Sequence, residues 1–291
     1  MRRKEKFIEA LLALCAGISV FTTVGILYVL VSESYGFFAT VPLSEFLTDD
    51  QWTPLFADQH FGIMPLVAGT LLTTVIAIAL ALPVGLTIAI YLNEYAHPKL
   101  RKSVKPALEV LAAIPTVVYG YFALTVVTPF LQQIFPELAG FSALSAGLVM
   151  GVMIIPIISS LSEDALFAVP KSLREASYGM GATPFQTSFK VLVPAASSGI
   201  IVSVILAISR AVGETMIVAI AAGQQPNLTA NPFVPIETIT TYIVQVSTGD
   251  VERGSLEYKT IFAAGITLFI FTFILNNISF WIKKKFLQKY E

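Results

Sequence analysis

The sequence predicts an all-α, polytopic membrane protein with six transmembrane helices, and three observations predict it. The chain has 291 residues, 55% of them hydrophobic and 13% charged, where soluble domains carry about 25% charged residues. Its mean hydropathy is +0.77. Six apolar stretches, 7–31, 65–92, 108–131, 142–160, 199–222 and 260–282, approach or exceed the roughly 20 residues a helix needs to cross a bilayer. Lys and Arg, finally, gather on alternate connections between those stretches.

The first stretch follows the basic start Met1-Arg2-Arg3-Lys4-Glu5-Lys6. Its apolar core is longer than the h-region of a signal peptide, about 7–15 residues, so it reads as a retained anchor. Cys15, the single cysteine, leaves no disulfide framework and reads as a small buried hydrophobe. The connection 32–64 carries Glu33, Glu45, Asp49, Asp50 and Asp58 but no Lys or Arg. Trp52, Phe56 and Phe61 predict that it is ordered. Pro83, Pro115 and Pro156 fall inside the second, third and fourth stretches, where a missing backbone donor predicts a kink. His60 and His97 read as solvated loop residues, with no metal-ligand spacing or nucleophile near them.

The connection 161–198 contains two short helices. Pro170 stands at the start of the first and Gly181 at its stop. Thr183-Pro184-Phe185-Gln186 has the pattern of a capping box with Pro at the first helical position, and Pro194 is expected to end the second helix. The connection 223–259 is rich in Pro, Asn and Thr, with a helix-like run from Ile236 to Val246.

The fifth stretch, GIIVSVILAISRAVGETMIVAIAA, places Arg210 and Glu214 one turn apart inside an apolar run. Charges at such depth cost about 2.5–3.5 kcal/mol each on insertion scales and mark pathways or partners. Arg presents a planar fork of donors suited to an oxyanion. Glu214, at i+4, can balance that charge on the same helix face.

Orientation follows from the basic residues. Arg2, Arg3, Lys4 and Lys6, then Lys99, Arg101, Lys102 and Lys105, Lys171, Arg174 and Lys190, and Lys283, Lys284, Lys285 and Lys289 all fall on one side. The other side has only Arg253 and Lys259. Both termini are therefore expected in the cytoplasm.

Glu175-Ala176-Ser177, three residues, Gly181, nine residues, then Val191-Leu192-Val193-Pro194 resembles the EAA motif of bacterial ABC importer permeases. That pattern is Glu-Ala-Ala, three residues, Gly, nine residues, Ile, any residue, Leu-Pro. The chain departs from it at Ser177, Val191 and Val193. Ser209-Arg210-Ala211-Val212-Gly213-Glu214-Thr215-Met216 is similar to the phosphate-specific permeases, and its Thr215-Met216 ending to their PstC type. So are Phe61–Leu66 before Gly69–Leu72, Tyr91–Tyr95 and Ile114–Gly120. The likeness covers about 60–282 and the basic first helix.

This resemblance implies a type I importer (MetI-like) permease core of five helices plus an N-terminal helix. It divides the chain into 1–64, a permease domain over 65–282 with a coupling loop at about 169–194, and a basic tail at 283–291. It implies a PstA-like second permease subunit, a PstB-like ATPase dimer holding ATP and Mg, and a periplasmic or lipid-anchored PstS-like phosphate-binding protein. The location implied is the bacterial inner membrane. Arg210, Glu214 and Thr215 would line the substrate pathway; Glu175, Ala176, Ser177, Gly181 and Pro194 would couple to the ATPase. The chain itself has no G-x-x-x-x-G-K-[ST] loop, so no cofactor is expected in it, and nothing suggests nucleic acid. Two alternatives stay open: a permease for another oxyanion, and a secondary anion transporter with a proton-coupled Glu214, although the repeats typical of that class are not visible.

Overall fold

The computed structural model describes residues 2–287, so Lys289 and the end of the basic tail lie outside the described residues. The elements in chain order are α1 (Arg2–Phe38), α2 (Leu43–Thr48), α3 (Met64–Ile90), α4 (Pro98–Ala113), α5 (Thr116–Phe122), α6 (Thr128–Ile134), α7 (Ala143–Phe167), α8 (Lys171–Gly179), α9 (Pro184–Thr187), α10 (Val193–Ala195), α11 (Ser197–Val212), α12 (Met216–Ala221), α13 (Ile239–Thr248) and α14 (Leu256–Leu287). Among the described residues there is no β-strand, only two isolated bridges, Trp52 with Phe61 and Gly223 with Ile236.

Among the described residues, five helices are each long and apolar enough to cross a membrane: Glu5–Phe38, Met64–Tyr95, Thr116–Ile134, Ala143–Phe167 and Leu256–Trp281. A sixth crossing comes from a bent pair, Pro184–Ala195 with Ser197–Val212, meeting at 73°. The core is the pairing of α3 with α7, where glycines let the helices approach closely. A Cβ on Gly147 would lie 2.8 Å from the Ile76 side chain, and one on Gly151 2.9 Å from the Ala77 carbonyl oxygen. Helices α11 and α12 pack on the same α7. By contrast α1 packs chiefly against α14, and its apolar window is 0% buried within the chain. Its apolar surface is left uncovered by the rest of the chain, and Cys15 is exposed on it, not buried as the sequence suggested.

Several predicted boundaries move. The third span does not start at 108. Ile114 is extended (φ −62°, ψ 131°) because a residue before proline is driven out of the α region. Pro115 therefore separates two helices and kinks neither. Residues 108–113 finish the amphipathic α4, and the span is Thr116–Ile134. The Tyr119 hydroxyl donates at 2.7 Å to the Leu111 carbonyl, which also accepts from the Ile114 amide, and so ties the new span to the end of α4. The fourth span continues beyond 160 to Phe167 and takes Glu163 with it. The first span continues to Phe38. Pro83 and Pro156 do lie inside α3 and α7.

Wide, π-type turns follow α3 at Tyr91–Tyr95 and interrupt later helices at Ala123–Val127 and Ser188–Leu192. The last two come just before Pro129 and Pro194, whose rings crowd the preceding turn and leave a carbonyl free. The Thr128 hydroxyl donates at 2.9 Å to the Ala123 carbonyl, which also accepts from the Thr128 amide.

The connection 32–64 is ordered, as its aromatic residues suggest. Trp52 and Phe61 are buried with Phe37, Phe46 and Tyr242, and Trp52 meets Tyr242 edge to face at 5.0 Å. Phe56 departs from that expectation and stays exposed. His60 is not simply solvated: its Nδ1 lies 2.9 Å from Asp49 Oδ2, and this hydrogen bond holds the imidazole above its ordinary pKa. His97 caps α4, accepting from the Lys99 amide. The helix foreseen over 236–246 forms three residues later, at Ile239–Thr248.

Candidate functional site

The fifth stretch is not one helix. α11 stops at Val212, the chain unwinds over Gly213–Thr215, and α12 begins at Met216. The cause is local. Glu214 Oε1 accepts from the backbone N–H groups of Met216 (3.1 Å) and Ile217 (3.4 Å). In a continuous helix those donors would serve the carbonyls four residues back, so the side chain competes successfully with the helix. A hydropathy average cannot register such a break, because long apolar runs flank it on both sides.

The unwound segment still brings Arg210 and Glu214 together. Arg210 Nη2 lies 3.7 Å from Glu214 Oε2, with side-chain exposures of 49% and 2%. That distance gives charge attraction without a hydrogen bond. The carboxylate is thus buried and spent mainly on backbone donors. The guanidinium is half exposed and makes no hydrogen bond among the described residues. Beside it the Ser209 hydroxyl is buried and has no partner. Thr215, partly buried, approaches only the Gly213 carbonyl, at 3.4 Å. Thr240 Oγ1 donates to the Glu214 carbonyl at 2.8 Å, so α13 steadies the break from outside.

The sequence did not single out Glu237, a buried carboxyl in the segment that leads into α13. It is 2% exposed, one of its oxygens has no partner, and burial pushes its pKa up to about 8. Its backbone packs against Gly69, where a Cβ would come within 2.2 Å of the Glu237 carbonyl oxygen.

The second cluster of predicted residues lies at the opposite, basic end. Gly181 has φ +81°, the left-handed conformation that glycine tolerates best, and it separates α8 from α9. The Thr183–Gln186 capping box is present in both directions. Pro170 is the N-cap of α8, and Pro194 does not end the second helix, which runs on to Ala195. The turn comes at Ala196. Ser177, where the EAA pattern has Ala, meets Thr187 by hydroxyl contact at 2.9 Å and so ties α8 to α9. Glu175, Ala176, Gly181 and Pro194 are exposed.

Two buried carboxylates at this end also escaped the sequence reading, because each follows an apolar run closely and looks like the first residue of a solvated loop. Glu163, 1% exposed, is held by Arg101 and by Lys105 at 3.3 Å. Glu94, 3% exposed, pairs with Arg174 at 2.6 Å. In both cases an acid at the end of one span pairs with cations in the amphipathic segment that follows the other span: Glu163 of α7 with α4, and Glu94 beyond α3 with α8.

Comparison with known proteins agrees with this architecture. A probable ABC transporter permease protein, YqgH of Bacillus subtilis, is 39% identical over 230 residues, spanning 79% of this chain and 74% of that protein. The phosphate transport system permease protein PstC of Haemophilus influenzae is 35% identical over 253 residues, spanning 80% of this chain and 79% of that one. Among solved structures, a chain of the inward-facing MetNI methionine ABC transporter superposes with a TM-score of 0.56 at 22% identity, covering 76% of this chain and 94% of that chain. Residues 81–290 match the model of the binding-protein-dependent transport system inner membrane component, and the chain, a multi-pass membrane protein, belongs to that family.

Proposed function

We propose that the chain is the transmembrane permease subunit of an ATP-driven importer of inorganic phosphate, and that it forms the translocation pathway with a second, PstA-like permease subunit. The observation that carries this reading is Arg210. It keeps a permanent charge at a break in a membrane helix, half exposed, with its hydrogen-bond donors unspent. A guanidinium so placed can take two oxygens of a tetrahedral oxyanion at once. The names of the PstC relatives support phosphate as that anion.

Glu214 supports Arg210 from behind. Its Oε1 is occupied by the Met216 and Ile217 amides, its Oε2 faces the guanidinium, and it is buried. It therefore balances Arg210 when no anion is present, and an arriving anion takes over the donors that face the pathway. A hydrogen bond from a protonated phosphate would fall to Oε2, since Oε1 is taken by the two amides. Thr215, at the same break, offers a hydroxyl to the passing anion.

On this reading the basic end and both termini are cytoplasmic, in a bacterial inner membrane. The α8–α9 loop receives a PstB-like ATPase dimer holding ATP and Mg, and a PstS-like binding protein delivers phosphate at the acidic end. Labelled-phosphate uptake by the assembled complex in vesicles tests the reading. ATP-dependent accumulation that resists excess sulfate is expected. Equal competition by sulfate would instead indicate a general oxyanion permease, and accumulation driven by a pH gradient without ATP would overturn the reading.

A further inference from the structure

The Arg174–Glu94 contact joins the loop to a helix that runs the length of the molecule. α8 has no buried residue of its own. Arg174 and Tyr178, four apart on one face, both reach Glu94: Arg174 at 2.6 Å and the Tyr178 hydroxyl at 3.5 Å. Glu94 is further fixed by the Asn93 amide at 2.8 Å. It stands in the wide turn Tyr91–Tyr95 that directly continues α3. At the far end of α3, the Thr70 hydroxyl accepts from the Ile239 amide at 3.1 Å, and Gly69 packs on the Glu237 backbone. One residue beyond Ile239, Thr240 holds the Glu214 carbonyl at 2.8 Å. A continuous series of short contacts therefore leads from α8 to the break that carries Arg210, with a helix of 27 residues, about 40 Å at 1.5 Å per residue, as its middle section.

We propose that Glu94 is a positioning residue for transport: through its pair with Arg174 it passes displacement of the α8–α9 loop to α3, and α3 passes it to the Glu214 segment. This rests on the reading that the loop receives the ATPase and that Arg210 meets the anion. Arg174 is the cation best placed to do it, since it leaves α8 at mid-helix, while α4 engages a different carboxylate, Glu163. Spatial continuity alone does not demonstrate coupling, so the test must measure it.

The test is a double-mutant cycle on the assembled complex with Glu94→Gln, Arg174→Gln and the pair together, plus Arg174→Lys. Retention of the ATPase on the purified complex is scored first. If the ATPase is absent from the wild-type complex, the docking reading is the one that fails. With the ATPase retained, each single variant is expected to lower phosphate uptake per ATP hydrolysed by roughly tenfold, within the range seen for coupling residues. The double variant should be no worse than either single, and Arg174→Lys should recover part of the loss. In a Cys15→Ala, Thr215→Cys background, ATP should change thiol labelling at 215 in the otherwise wild-type protein and not in Glu94→Gln or Arg174→Gln. Losses that add in the double variant, or ATP-dependent labelling that persists in the single ones, would overturn the proposal. Should Glu94→Gln fail to assemble, the Arg174 variant, at a partly exposed position, decides alone by the labelling readout.

Discussion

Glu237 shows how one side chain can link stability to pH. It is buried in the connection before α13, and burial raises its pKa from 4.5 to about 8. Between those two values the folded protein holds a proton that the unfolded chain has released. The folded state then binds more protons, so stability falls as pH rises through that window and levels off above it. Glu237→Gln keeps the size of the neutral side chain and removes the titration. Thermal unfolding of the purified complex from about pH 5 to pH 9 is therefore expected to slope downward in the wild type and to flatten in the variant. An unchanged slope would assign the effect to another group. The residue-level site was only half legible in the sequence. Arg210 and Glu214 stand out because charge in an apolar run is costly. Glu94, Glu163 and Glu237 do not, because a carboxylate just outside such a run looks solvated until its packing is known.

Helices were legible as apolar runs, and their interruptions were not. Hydropathy averages over a window and cannot see that Ile114 must be extended before Pro115, or that Glu214 will capture the amides of Met216 and Ile217. Where a break has its own local chemistry the sequence does reveal it. Gly181 and the Thr183 capping box both appear as expected. A Cβ built on Gly181 meets nothing within 4 Å, so any penalty for a side chain there is conformational, about 1–2 kcal/mol in the left-handed region. Gly181→Val is thus expected to leave the protein inserted but to weaken its hold on the ATPase by roughly tenfold, the equivalent of about 1.4 kcal/mol. Glu175→Lys, on the exposed face of α8, should do the same by charge. Pull-down of the ATPase measures both; wild-type retention in both variants would remove α8–α9 as the dock.

At the scale of the whole molecule, the two ends differ in charge and in construction. One holds Arg101, Lys105 and Arg174 on buried carboxylates; the other is an aromatic platform built on Phe37, Phe46, Trp52 and Tyr242. The helices number and order themselves largely as the apolar runs indicated, and the long exposed face of α1 explains why its composition alone identified it. Cysteines placed at Lys102 and Lys284 in a Cys15→Ala background should label from the cytoplasm, and those at Asp50 and Asp250 from outside. Labelling of position 50 from the cytoplasm would invert the assignment. The central claim, that Arg210 meets the transported anion, is tested most directly by phosphate uptake of the Arg210→Gln complex, normalised to assembled protein. A neutral amide cannot replace a charged fork, and losing charge-assisted hydrogen bonds worth about 3 kcal/mol predicts uptake lowered by at least roughly a hundredfold with ATPase retention intact. Near-normal phosphate uptake by that complex would contradict the account.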